Sequence, residues 1–278
     1  MNNDSLELID IKSMDEAQLQ AYFEQLGEKK FRASQVYQWL HQKLVTDFEQ
    51  MTNLPESLRK TLKENNLRIS SVLPAPGGGP GGNIASANVL EREWTKQYWK
   101  DCIDMGLEMD DCKTLLCVCG WYIYGTRKRD AWKWAMESIS EVAEYGAKSG
   151  VTLMLEPTAT DSNLVESCED AINMMEDIGM ENVKLMFDTT HALYRNEVPS
   201  DYVYLMNENL KHIHMADYNR KAPGTNGCDF VEIMQALKDI NYDGYITMEN
   251  GFESRSSHPF VVARQSLENL KAIENSLK

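Results

Sequence analysis

Short apolar runs alternate with helical stretches from residue 114 to residue 249, and that alternation fixes the class of fold. The runs are TLLCVCG (114–120), VTLMLE (151–156), VKLMFD (183–188), HIHMAD (212–217) and YITME (245–249). Helical periodicity precedes each, over about 89–105, 129–148, 164–178, 200–209 and 230–240, and a last helix follows over about 259–276. Runs this short with apolar residues on both faces read as strands covered on both sides. Five of them alternating with helices predict a parallel sheet with right-handed crossovers.

Four of the runs bring a carboxylate or a histidine to the strand end: Glu156, Asp188, His214 and Glu249. In a parallel α/β layout the carboxyl ends of all strands point to one face, where ligands collect. Three oxygen ligands and one imidazole converging there would suit a divalent metal such as Mn2+. Taken singly, each glutamate is a strand running out into water, and Asp188 is an N-cap for the turn that follows. Taken together, Glu156 and Glu249 could remove a proton from a substrate carbon and return one to it. A metal on the neighbouring oxygens would stabilise the enediolate between these steps. His212-Ile213-His214 alternates along its strand and is expected to turn a single imidazole to the cleft, that of His214 near the strand end. His191 could reach the same cleft from the Asp188-Thr189-Thr190-His191 turn, and Arg220 lies in a loop where a guanidinium could fix hydroxyl or phosphate oxygens.

The charge excludes one broad class. With 28 Lys+Arg against 43 Asp+Glu the formal net charge is −15, which argues against bulk nucleic-acid binding. Residues 1–72 hold 11 acids and 9 bases, net −2, so the remainder carries −13. There is no 18-residue apolar stretch and the N-terminus MNNDSLELID lacks signal-peptide character, so a cytoplasmic protein with no membrane partner is expected. The six cysteines, at 102, 112, 117, 119, 168 and 228, show no CxxC spacing and read as structural thiols.

PAPGGGPGG at 74–82 packs three prolines and five glycines into nine positions and marks a seam. Ahead of it the signals are all helical. Ser13 caps a helix to about Leu26, a second runs over about Ala33–Lys43, and a third over about Glu56–Asn65 behind Pro55. The domains expected are therefore a small helical one at 1–72, a linker at 73–83 and a strand-bearing one at 84–278. GEKKFRASQVYQWLHQK and VTDFEQMTNLP, within residues 10–70, resemble the N-terminal helical domain of the radical-SAM adenine methyltransferases that modify RNA. That resemblance implies phosphate contacts for Lys29, Lys30 and Arg32. The radical-SAM core and its cysteine triplet are missing, so RNA methylation is not expected.

Beyond the seam, GVTLMLEP, NVKLMFDTTH, HIHMADYNRKAPG and YDGYITMEN resemble, in order, the last strands of the xylose-isomerase-like sugar isomerases and epimerases, over about 84–278. The resemblance implies one divalent metal, Mn2+ first and Co2+ or Mg2+ as alternatives, held by Glu156, Asp188, His214 and Glu249. It implies Glu156 and Glu249 as the catalytic acid/base pair, and His191 and Arg220 as contacts to a sugar or sugar phosphate. Many ketose epimerases carry a further carboxylate six residues after the first glutamate; here that position is Ser162, with Asp161 beside it.

The fold expected is thus α/β, an incomplete (β/α) TIM-type barrel of about five parallel strands with helices, preceded by a small all-α domain. An open arc has two strand edges where a closed barrel has none, so a homo-oligomer covering the edges, or poor solubility, is expected, with activity impaired by the loss of the family's first three strands. Three other readings stay open: lyase-type deglycosylation of 3-keto-sugars at the same site, an RNA-binding adaptor through residues 10–70, and a non-functional fusion.

Overall fold

In the computed structural model the described residues are 16–41, 69–74, 82–251 and 259–277. They fall into two compact units that divide between residues 68 and 69. The expected third helix over 56–65, the cap at Ser13 and most of the seam, 75–81, lie outside the described residues.

The first unit contains α1 (Glu16–Gln25) and α2 (Lys30–His41). Leu19 and Phe23 of α1 and Ala33 and Val36 of α2 are buried. The turn between the helices passes through Gly27 at φ +76°, a left-handed conformation at a helix C-terminus that glycine adopts without strain. Lys30 pairs with Glu24 at 3.2 Å, and Arg32 donates to Gln35 Oε1 at 2.8 Å while lying over the Phe31 ring.

The second unit follows the order α3 (Val89–Asp110), β1 (Thr114–Val118), α4 (Lys128–Ala147), β2 (Thr152–Glu156), α5 (Cys168–Ile178), β3 (Val183–Asp188), α6 (Thr189–Tyr194), α7 (Pro199–Met206), β4 (Leu210–Met215), α8 (Phe230–Asp239), β5 (Tyr245–Met248) and α9 (Pro259–Ser276). All five strands are parallel and pair in chain order, β1-β2-β3-β4-β5. The repeat of strand and helix thus gives the parallel sheet that the apolar runs predict.

Alternation along the strands separates two faces. Leu115, Cys117, Leu153, Leu155, Leu185, Phe187 and Ile213 join the large core against the helices, together with Ile139 and Val142 of α4 and Ala171 of α5. Leu116, Met154 and Met186 point the other way and form a small buried cluster of their own with Val118. On β2 and β3 the residue two further along that second face is a site candidate: Glu156 follows Met154, and Asp188 follows Met186. Five cysteines are buried, all six are free, and no described helix is long and apolar enough to cross a membrane.

Several boundaries differ from the sequence reading. The helix expected from 164 starts at Cys168, because Ser167 caps it: Ser167 Oγ accepts from Asp170 N and the Asp170 carboxylate accepts from Ser167 N. The helix expected to end near 105 runs on to Asp110. Residues ahead of the expected linker belong to the sheet. Val72 forms a parallel bridge with Leu115, receiving Leu116 N at 2.9 Å and donating to Thr114 O at 3.1 Å, and Thr114 Oγ1 donates to Ser70 O. The β1 edge, expected to stand open, is therefore partly covered.

Candidate functional site

Glu156, Asp188 and His214 stand at the carboxyl ends of β2, β3 and β4, and Glu249 follows the end of β5 with its N–H on Met215 O at 3.1 Å. Asp188 is in register with His214, and His214 with Thr247. The side chains meet around Asp188 in two groups. Asp188, His214 and Glu249 bring one ligand atom each to within 4.8 Å of one another, and so do Glu156, Asp188 and His191. The four expected ligands therefore share Asp188, but do not fall into one such group.

Asp188 is completely buried and serves two masters. One oxygen, Oδ1, takes Thr190 N at 2.8 Å and Thr190 Oγ1 at 2.6 Å, so it does cap α6. The other, Oδ2, receives the Arg220 guanidinium, which also stands 2.9 Å from Glu249 Oε2. His214 Nδ1 is 2.8 Å from the same Glu249 oxygen. Arg220 is delivered by a strained loop, with Asn219 and Arg220 at φ +60° and +59°. Buried Asp217 staples that loop by accepting from Tyr218, Asn226 and Cys228 N–H groups. Gly251 N donates to Arg220 O at 2.7 Å, and a Cβ at Gly251 would lie only 2.9 Å from Arg220 Cβ, so glycine is required there.

Both histidines of the HIH run share one face, which corrects the expectation that only one would turn inward. Residues two apart on a strand lie on the same side. His212 is in register with Met186 and His214 with Asp188, and the two rings meet edge to face at 5.1 Å. His212 sits one layer deeper, buried, with Nε2 2.9 Å from Thr247 Oγ1. His191 is buried as well, with Nδ1 3.1 Å from Thr160 Oγ1. Ser162, at the position of the additional carboxylate, donates its hydroxyl to Gly120 O at 2.6 Å and so serves the loop. Asp161 is the carboxylate that approaches the site, 3.6 Å from His191 Nε2. Thr190 and Thr160 are not among the sequence candidates, since a lone hydroxyl in a loop or turn carries no pattern.

Burial, with Asp188 and Glu249 nearby, drives the Glu156 carboxyl well above the ordinary carboxylate range. Burial lifts Asp188 to about 6 against the pull of Arg220. Burial also works to raise Glu249, but hydrogen bonds with His214 and Asp188 and the Arg220 charge outweigh it and bring its carboxyl to about 2. Burial, aided by Arg220, lowers His191 to about 4, so it is neutral at pH 7. Three carboxylates thus face a single guanidinium. Oxygen donors in excess with imidazole beside them are what a divalent cation takes, and its charge would offset both the burial and the neighbouring carboxylates that raise Glu156. The donor set fits a metal.

A family model described as a xylose isomerase-like TIM barrel matches residues 23–273. D-psicose 3-epimerase of Ruminiclostridium cellulolyticum is 26% identical over 244 residues, which is 82% of this chain and 81% of that protein. The crystal structure of D-psicose 3-epimerase with D-tagatose from Clostridium cellulolyticum H10 has the same fold, with a TM-score of 0.67 at 22% identity over 78% of this chain and 82% of that one. A short segment is similar to another protein altogether: dual-specificity RNA methyltransferase RlmN of Marinobacter nauticus is 57% identical over 58 residues, 21% of this chain and 16% of that protein. The parallel strand order and the family match agree, and the chain belongs to the xylose isomerase-like TIM barrel family.

Proposed function

We propose that the chain is a divalent-metal-dependent sugar or sugar-phosphate isomerase or epimerase that works by proton transfer through an enediolate. The observation that carries this reading is geometric: Glu156, Asp188, His214 and Glu249 gather around Asp188 at the carboxyl ends of four neighbouring parallel strands. Glu156 and Glu249 would form the acid/base pair, one taking the proton from the carbon beside the carbonyl and the other returning one. Relatives that share most of the chain's length are named as 3-epimerases of psicose and of fructoselysine, which supports a ketose as substrate class.

Asp188, His214, Glu249 and Glu156 would hold the metal, with Mn2+ the first candidate and Co2+ or Mg2+ behind it, and it would supply charge stabilisation for the enediolate oxygens. Arg220 and His191 would hold substrate hydroxyl or phosphate oxygens. Mn2+ titration by calorimetry should give one stoichiometric site, lost in Glu156→Gln and in Asp188→Asn. A protein that binds no divalent metal at micromolar concentration would sink the reading. Deuterium uptake from solvent into a panel of ketoses and 3-keto-glycosides then separates epimerisation from deglycosylation, since only the latter releases an aglycone.

The RlmN-like segment favours a second reading, an RNA-binding adaptor. Lys30 and Arg32 are engaged locally, and the whole chain carries −15. A gel shift with transfer RNA that fades with salt would support the adaptor, and no shift at low salt would remove it.

A further inference from the structure

Thr160 has one hydroxyl hydrogen and two acceptors within reach. Its Oγ1 is 2.9 Å from the exposed Asp161 Oδ2 and 3.1 Å from His191 Nδ1. A hydrogen bond to a charged acceptor is about twice as strong as one between neutral groups, so the hydrogen belongs to Asp161. Thr160 Oγ1 then has only lone pairs for Nδ1, and Nδ1 must carry the ring hydrogen. Burial keeps the imidazole neutral, which leaves Nε2 bare. Asp161 stands 3.6 Å from Nε2, too far to hold a hydrogen there. The turn that presents Thr160 is fixed, with Thr158 O accepting from Asp161 N and Ser162 N and the Ser162 hydroxyl tied to Gly120 O.

We propose that Thr160 and Asp161 are positioning residues that lock His191 as its Nδ1–H tautomer, so that Nε2 meets the site as an acceptor for a substrate hydroxyl and not as a donor to a carbonyl. His191 has a ring nitrogen within 4.8 Å of oxygens of Glu156 and Asp188, so a hydroxyl bound there lies beside the proton-transfer groups. The hydroxyl as ligand rests on the proposed sugar chemistry; the tautomer does not.

Nitrogen-15 correlation spectra of the histidine-labelled full chain test this, with the His191 signals identified by their loss in His191→Gln. The expected spectrum has a protonated Nδ1 and a bare Nε2. Thr160→Ser keeps that pattern. Asp161→Ala frees the Thr160 hydroxyl to donate to Nδ1 and moves the hydrogen to Nε2, and Thr160→Val removes the bias. A wild-type His191 protonated at Nε2, or a pattern that neither Asp161→Ala nor Thr160→Val moves, overturns the proposal. On a sugar that is turned over, Thr160→Val should raise KM about tenfold, the loss of one hydrogen bond, with recovery in Thr160→Ser. If no sugar is turned over, the proposed function falls and takes the hydroxyl with it, while the spectrum still decides the tautomer.

Discussion

A buried carboxyl must lose its proton before it can bind a cation, and Asp188 shows what that costs. Its folded-state value of about 6 means that metal competes with a proton below that pH. Apparent Mn2+ affinity should therefore rise with pH, by up to about tenfold per unit below pH 6, and binding should release protons. Glu156, which burial also pushes well above the ordinary carboxylate range, adds a second proton to the competition and steepens the rise. Calorimetry at pH 5.5 and pH 7.5 in buffers of different ionisation enthalpy measures both quantities. Equal affinity at the two pH values would show that these carboxyls do not bind the metal. The candidates themselves were legible in the sequence, because a carboxylate at the end of an apolar run needs only local pattern to be placed. Their surroundings were not. That Thr190 holds one Asp188 oxygen and Arg220 the other depends on loops 30 residues apart, and the pairing leaves no trace in spacing.

At the scale of elements, the histidine on β4 also holds β5. His212 Nε2 bonds Thr247 Oγ1 on the neighbouring strand at 2.9 Å, and burial together with His214 lowers His212 to about 4. The unfolded chain takes up this proton near pH 6.5 and the folded chain only near pH 4. The stability contributed by a neutral His212 is thus complete above 6.5 and is lost as pH falls to 4, to the extent of about 3 kcal/mol. Asp188 and Glu156 are shifted upward and work in the opposite direction, so the wild-type curve is a sum of both signs. The difference between wild type and His212→Asn isolates the histidine: urea melts should show a gap that shrinks by about 3 kcal/mol from pH 7 to pH 4. A gap that is constant with pH would mean that His212 takes up its proton in the fold as readily as in the unfolded chain. Strands and helices were read correctly as a series because each has its own period, whereas the error at His212 came from treating neighbours two apart as opposite. The α5 start was missed for a different reason. Leu164 and Val165 are buried, so apolar periodicity extends the helix backwards, and only the Ser167 cap stops it.

For the whole molecule the open question of the sheet is its edges. Val72 covers part of β1, a contact invisible in a stretch as short as SSVLP beside the seam. On the far side β5 pairs with β4 and with no other strand among the described residues, and Tyr245 on it is 54% exposed. A strand with unpaired N–H and C=O groups on one side is a template for another copy. The net charge of −15 opposes that association, and salt screens the repulsion. The expected outcome is a concentration-dependent oligomer by light scattering that grows with salt. Tyr245→Lys should return the protein toward monomer by placing a charge on the edge. The same substitution should leave Mn2+ affinity unchanged, because Tyr245 lies at the opposite end of β5 from Glu249. A wild-type monomer at every salt concentration, melting cooperatively, would show that the β5 edge is satisfied within one chain. An oligomer that ignores Tyr245→Lys would place the contact on another surface, with the exposed Leu90 and Trp94 of α3 as the next residues to change.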